Sequence, residues 1–228
     1  MKRLNELNLS QKEKLLNNLR TNITYHSNAI EGLSLSYEET KNLLEMGITA
    51  DNKSFCEQLI IIGFAKAYDM VVCKADKKLS SSFIKDLHYL IFNLAYSYYP
   101  KLIKKPIGAY RNEEVRISGT NTKLTLPHLI SQELENLLYR FNEKLDLEKI
   151  AKFHALFEKI HPFIDGNGRI GRLLMIFQCI QNDYIPPLIE NEKRDEYLTC
   201  LYEAQKNNNI KRFVSFLEYC QERSLANI

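Results

Sequence analysis

Apolar residues recur at helical spacing over nearly the whole chain, and that periodicity leaves it few ways to fold. Ile84, Leu87, Ile91 and Leu94 form one apolar face; Ile130, Leu134, Leu137, Phe141 and Leu145 form a second; Ile150, Phe153, Phe157 and Ile160 form a third. Such stripes belong to amphipathic helices that share a core. Ser36-x-x-Glu39 and Ser54-x-x-Glu57 read as capping boxes, and Gly47 is placed to stop the first of those helices. Ile170 to Ile180 is apolar almost all round, which predicts a central helix enclosed by the others. The exception lies between Pro100 and Pro127. There Val115 and Ile117, then Leu124 and Leu126, alternate at period two on either side of Ser118-Gly119-Thr120-Asn121, the pattern of a short β-hairpin. The expected fold is all-α with one β-hairpin.

Composition bounds the function classes. A chain of 228 residues that is 45% hydrophobic and 26% charged has an ordinary globular mix. It is long enough to bury about 70% of its unfolded surface without disulfides or a structural metal. A net charge of +3, from 31 Lys and Arg against 28 Asp and Glu, is too small and too dispersed to argue for a nucleic-acid or membrane surface. Cys56, Cys73, Cys179, Cys200 and Cys220 are odd in number and form no C-x-x-C pair, which predicts reduced thiols in a cytoplasmic protein. The polar start of the chain has no apolar signal core, and no apolar stretch approaches spanning length. Glycine is scarce: the eight in the chain are about half the usual share, so each is expected where backbone geometry demands it.

Chemistry-bearing residues concentrate in His161-Pro162-Phe163-Ile164-Asp165-Gly166-Asn167-Gly168-Arg169-Ile170-Gly171-Arg172. Gly166-x-Gly168-x-x-Gly171 has dinucleotide-fingerprint spacing, but a helix precedes it where that fingerprint requires a strand. A Walker A loop would need Lys-Ser/Thr where Arg172-Leu173 stands. A calcium loop would need Gly where Ile170 stands. What remains is a helix, a glycine-rich loop and the start of a buried helix. Such a loop aims backbone N–H groups at an anion held by the positive end of the helix dipole. Gly166 and Gly168 allow close approach, and Arg169 and Arg172 share one helix face and can clamp phosphate oxygens. Asp165 offers a hard oxygen for Mg²⁺ between phosphates. His161 is the nearby group able to accept a proton near neutral pH. Phe163 is the apolar anchor of the loop. His26, His88, His128 and His154 lack such company and read as structural or surface residues. The set describes phosphate-ester chemistry on a nucleotide.

The segment His161 to Arg172 resembles the His-x-Phe-x-Asp/Glu-Gly-Asn-Gly-Arg-x-x-Arg signature of the Fic domain family, matched at every specified position. The resemblance implies a helical domain with a β-hairpin flap that transfers AMP from Mg²⁺-ATP to a Ser, Thr or Tyr hydroxyl of a target protein, the chain itself included. Mn²⁺ is an alternative to Mg²⁺. His161 would be the base, Asp165 the metal ligand, and Gly166, Asn167, Gly168 and Gly171 the phosphate loop, with Arg169 and Arg172 on the outer phosphates. Doc toxins, which phosphorylate, carry Lys where Gly168 stands. Gly108-Ala109-Tyr110-Arg111 and Val115-Arg116-Ile117-Ser118-Gly119 are similar to the flap, whose edge docks the target by β-augmentation. Ser27-x-x-x-Glu31-Gly32 is similar to the family's inhibitory helix, which implies that Glu31 pairs with Arg172. Tyr197 and Gln205 fall where relatives have Tyr and Asn around adenine, the Gln being a departure. On this reading residues 1–50 are N-terminal helices that include the inhibitory motif, and 51–228 are the Fic catalytic domain. A homodimer is allowed by the same likeness; nucleic acid and membrane are not expected partners. Three rivals stay open: a de-AMPylating enzyme, a Doc-like kinase toxin, and a non-catalytic module that senses nucleotide.

Overall fold

The computed structural model describes residues 3–116, 122–207 and 209–226. Among the described residues there are nine α-helices: α1 (Leu9–Ile30), α2 (Tyr37–Met46), α3 (Phe55–Lys74), α4 (Ser81–Tyr98), α5 (Ile130–Arg140), α6 (Leu147–Ile160), α7 (Asn167–Gln181), α8 (Arg194–Asn207) and α9 (Ile210–Leu225). None of them is long and apolar enough to cross a membrane. The three predicted apolar faces fall on α4, α5 and α6, with Leu145 just before α6, and all three point inward.

Helix α7 is the axis. It touches α1, α3, α4 and α6, and twelve of its residues are buried. Its enclosure follows from its sequence, because a helix apolar on every side has no face to offer water. It stands between two apolar clusters. Ile170, Leu173, Leu174, Ile176 and Phe177 pack with α1, α3, α4 and α5, whereas Met175 and Cys179 pack with α8 and α9. α6 divides in the same way, Phe153 and Phe157 facing the first cluster and Ile150 and Ala151 the second. Leu15, Leu19 and Ile23 bury α1 in the first cluster, so the N-terminal helix shares the core of the rest. All five cysteines are free, and only Cys73 is exposed.

Local signals set the helix ends. Ser36 and Glu39 form the expected reciprocal capping box, and Gly47 closes α2 with φ +70°. The second expected box forms only by half. Ser54 Oγ accepts from Glu57 N–H, but the Glu57 carboxylate turns away to the N–H and hydroxyl of Ser34, at 2.9 and 2.8 Å. A charged acceptor for two donors at the exit of α1 outcompetes the local return bond, and it ties that exit to α3. Asn8 and Gln11 form a further capping box at the start of α1.

Of the expected hairpin, Ile117 and the turn Ser118-Gly119-Thr120-Asn121 lie outside the described residues. Among the described residues Val115, Arg116, Leu124 and Leu126 are in no strand, and the one β-bridge, Arg3 with Tyr184, lies elsewhere.

Gly63 lets α3 and α4 approach at backbone distance: a Cβ there would collide with the carbonyl oxygens of Ile91 and Leu90, groups that cannot yield without shifting α4. Gly63→Ala is expected to destabilise by about 2 kcal/mol, lowering Tm by roughly 4–8 °C. Thermal unfolding followed by circular dichroism checks this, and an unchanged Tm would mean that the two helices can part at no cost.

Candidate active site

The loop between α6 and α7 is built on unusual backbone. His161 ends α6 in the left-handed region (φ +51°), and Gly166 opens α7 at φ +82°. A non-glycine residue there is strained, which the surroundings must over-determine. Several contacts do so. The Asn167 side chain accepts from Phe163 N–H at 2.9 Å and donates to Phe163 O at 2.8 Å, closing the loop on itself. Phe163 is fully buried and stacks on His88, ring centroids 4.0 Å apart, as its role of anchor requires. Gly166 rests on the Phe92 ring, 2.6 Å from where a Cβ would stand.

His88 and Arg111 are the two supports that sequence reasoning missed. His88 Nδ1 accepts from Gly108 N–H at 2.9 Å, so its proton sits on Nε2, which donates to Asp165 O at 3.1 Å. Burial pushes its pKa down to about 4. Arg111 is buried; its N–H donates to Pro162 O, its Nε to His161 O at 2.8 Å, and its other guanidinium nitrogens to Glu113 O and Thr125 O. One side chain thus fastens both flanks of the expected flap to the carbonyl of the candidate base.

His161 Nδ1 donates to Glu158 O at 3.3 Å, which leaves Nε2 as the lone-pair nitrogen. Burial pushes its pKa down to about 4, so the ring is neutral at pH 7. Asp165 accepts from Gly166 N–H at 2.6 Å and from Arg169 at 3.1 Å, both on Oδ1, and its side chain is 42% exposed. A carboxylate with one oxygen turned outward suits a hard divalent cation. Arg169 is buried over the Phe92 ring, and its Nε and Nη1 have no hydrogen-bond partner among the described residues. Orphaned guanidinium N–H groups call for an acceptor, which a phosphate supplies.

Arg172 is already engaged. Its Nε donates to Ser27 Oγ at 2.8 Å, and its Nη2 donates to Ser27 O at 2.9 Å and to Glu31 Oε1 at 2.7 Å. Burial raises the Glu31 pKa, but Arg172 and Arg169 outweigh it and hold the carboxyl below its ordinary value. Gly32 follows at φ +88° and ends the turn. Gly168 is the glycine that admits this pair, because a Cβ there would meet Glu31 Oε1 and lie 3.0 Å from Arg172 Nη1. In this state the space above Gly168 therefore holds a carboxylate rather than a phosphate.

Glu31, His161, Gly168, Arg172, Tyr197 and Gln205 line one cavity of about 240 Å³. Tyr197 forms a buried wall with its hydroxyl 2.8 Å from His154 Nε2, and Gln205 donates to Ala155 O at 3.1 Å. Val115 and Arg116 line a separate cleft beside Arg111 and Thr122–Leu126, of about 520 Å³; Ile117, Ser118 and Gly119 lie outside the described residues.

Residues 78–179 match the model of the Fic/DOC family. They are a Fic/DOC-family domain. The chain is 29% identical to protein adenylyltransferase Fic of Drosophila erecta over 216 residues, covering 88% of this chain and 40% of that protein. It is 27% identical to protein adenylyltransferase fic-1 of Caenorhabditis elegans over 213 residues, covering 90% and 39%. The chain thus spans about two fifths of the curated relatives it matches. Its structure is similar to that of a Fic domain containing signaling protein from Bacteroides thetaiotaomicron, with a TM-score of 0.84, 26% identity, and coverage of 98% of this chain and 91% of that one. Against Fic-1 from C. elegans the TM-score is 0.81 at 25% identity, covering 98% and 66%. The Fic segment contains α4 to α6, the loop and most of α7, whereas Glu31 and Tyr197 come from outside it.

Two measurements probe this geometry. His88, His154 and His161 all have depressed pKa values, about 4, 3 and 4, so at these three sites the folded chain binds fewer protons than the unfolded chain below about pH 6.5. The histidine contribution to stability is full above pH 6.5 and falls as pH drops toward 4, each histidine contributing up to about 1.4 kcal/mol per pH unit. Urea unfolding at stepped pH should show that slope reduced by one proton in His88→Gln, whose amide can keep both bonds; an unchanged slope would remove His88 from the account. Arg111→Lys, with one amine in place of a fork, should leave the fold intact by circular dichroism yet increase amide exchange at 111–116 and 122–126, where equal protection would show the staple to be dispensable.

Proposed function

We propose that the chain is a protein adenylyltransferase held in an inhibited state by its own α1. The observation that carries this reading is the pairing of the buried Arg172 with Glu31, 2.7 Å apart over Gly168, in a cavity that also contains His161. In the proposed reaction a target hydroxyl oxygen attacks the α-phosphorus of ATP. The new O–P bond forms as the bond to pyrophosphate breaks, and the hydroxyl proton passes to His161 Nε2. Backbone N–H groups at the start of α7 receive the phosphates, and the orphaned Nε and Nη1 of Arg169 take further oxygens. Asp165 would hold Mg²⁺, which neutralises charge between the phosphates when bound. Tyr197 and Gln205 would face the base, and the cleft beside Val115 and Arg116 would receive the target backbone.

Inhibition on this reading is occupancy. While Glu31 holds Arg172, the outer phosphate has neither the guanidinium nor the space above Gly168. Gly168 stands where the phosphorylating Doc toxins usually carry Lys, which favours adenylyl over phosphoryl transfer.

Removing one charge-assisted bond of about 1.5–3 kcal/mol predicts that Glu31→Gly raises self-modification or nucleotide turnover roughly 10- to 150-fold. Intact mass spectrometry after incubation with Mg²⁺-ATP should show AMP additions in Glu31→Gly, few in wild type and none in Glu31→Gly/His161→Ala. A gain of phosphate mass alone would make the chain a kinase. AMP removal by wild type from a target modified beforehand would reverse the direction, and absence of nucleotide binding in Glu31→Gly would overturn the enzyme reading.

A further inference from the structure

Three residues before His161, on α6, stands a carboxyl group that the proposed reaction does not use. Glu158 is 6% exposed, and its Oε1 has no hydrogen-bond partner among the described residues. It occupies the room that Gly171 leaves: a Cβ at 171 would collide with Glu158 Oε1 and approach His154 Cε1 to 2.9 Å. The groups around it come from every neighbouring element. Arg172 faces it from α7, Glu31 from α1 and Tyr197 from α8, while His154 and His161 flank it on its own helix. Two carboxyl groups and one buried guanidinium therefore line the same cavity, and only Glu31 is hydrogen-bonded to the guanidinium. An ionised pair of carboxylates there would leave a net buried negative charge. Burial and Glu31 push Glu158 up to about 8 against the pull of Arg172, so it is protonated at pH 7 in this state.

We propose that Glu158 is the reserve counter-ion of Arg172: neutral while Glu31 holds the arginine, ionised once Glu31 withdraws, and protonated again when a nucleotide phosphate takes the vacated place. The proton leaves to solvent and returns from it through the cavity that Glu158 lines. At each stage the buried guanidinium faces one negative charge, which is the arrangement a low-dielectric site tolerates. Gly171 is part of the device, since any side chain there would displace the carboxyl. Glu158 is a positioning residue, acting on the nucleotide through Arg172. The inference rests on the nucleotide-transfer reading above and adds a proton to its binding step.

The test is calorimetric titration of a non-hydrolysable ATP analogue with Mg²⁺ at pH 8, in HEPES and in Tris, whose ionisation heats differ. Glu31→Gly should take up as much as one proton on binding, and its Kd should rise by up to about tenfold per pH unit above neutrality. Glu31→Gly/Glu158→Gln should take up at least half a proton less and bind several-fold more tightly at pH 8.5. Equal proton counts in the two proteins overturn the inference while leaving the transferase reading standing; failure of Glu31→Gly to bind the analogue overturns both. Infrared difference spectra decide without the double variant. A protonated-carboxyl band present in wild type, absent from Glu158→Gln and diminished at pH 8 in Glu31→Gly supports the exchange, and a band of equal strength in wild type and Glu31→Gly defeats it.

Discussion

A guanidinium buried at the second turn of an enclosed helix is the constraint around which this molecule is organised. Arg172 cannot lose its proton, and its position on α7 keeps it from water, so something on another element must bring it a negative charge. That something is the C-terminal end of α1, which delivers Ser27 and Glu31 together. The end of α1 is in turn held by Arg194, whose Nε donates to Ile30 O at 2.9 Å, and by Asn191, whose N–H donates to His26 Nδ1 at 3.0 Å. The demand of one side chain thus organises contacts from residue 26 to residue 194.

The loop before α7 is rigid for a different reason. Its strained residues are held by bonds that close on backbone, from Asn167 to Phe163, from His88 to Asp165 and from Arg111 to His161. Backbone donors and acceptors have no rotamer freedom to lose, so such bonds define atomic positions more tightly than side-chain pairs do. The candidate base and the candidate metal ligand are consequently fixed, whereas Arg169 keeps two guanidinium nitrogens without a partner among the described residues and Arg172 is paired with a half-exposed carboxylate. Rigid chemistry beside exchangeable charge is what a site needs if it is to be switched without being rebuilt.

Much of this was legible without coordinates. The apolar stripes locate α4, α5 and α6, the all-apolar run locates the axis α7, Gly47 marks a helix end, and His161 to Arg172 carries the family signature. Glycine is scarce and sits where geometry is demanding: Gly32 and Gly47 take positive φ in open space, Phe92 stands against Gly166, and Glu31 stands against Gly168. Gly171, in the expected phosphate loop, makes room for Glu158. His88, set aside because its chain neighbours are unremarkable, lies under the loop. Arg111 was read only as part of a flap. Glu57 matched a local capping rule, yet it is spent on Ser34. For His88, Arg111 and Glu57 the origin is the same, a partner 20 to 80 residues away that no spacing rule reaches.

The sequence by itself determined that the chain is mostly helical, which helix is enclosed, and which twelve residues carry the family signature, because periodicity and a contiguous motif are properties of neighbouring residues. Only the tertiary structure decided what those residues face. That Glu31 meets Arg172 across 141 positions, that Arg111 grips the carbonyl of His161, and that a neutral carboxyl fits into the gap at Gly171 all depend on how helices pack. Charge balance in a buried site is set by distance through space, and distance along the chain carries no record of it.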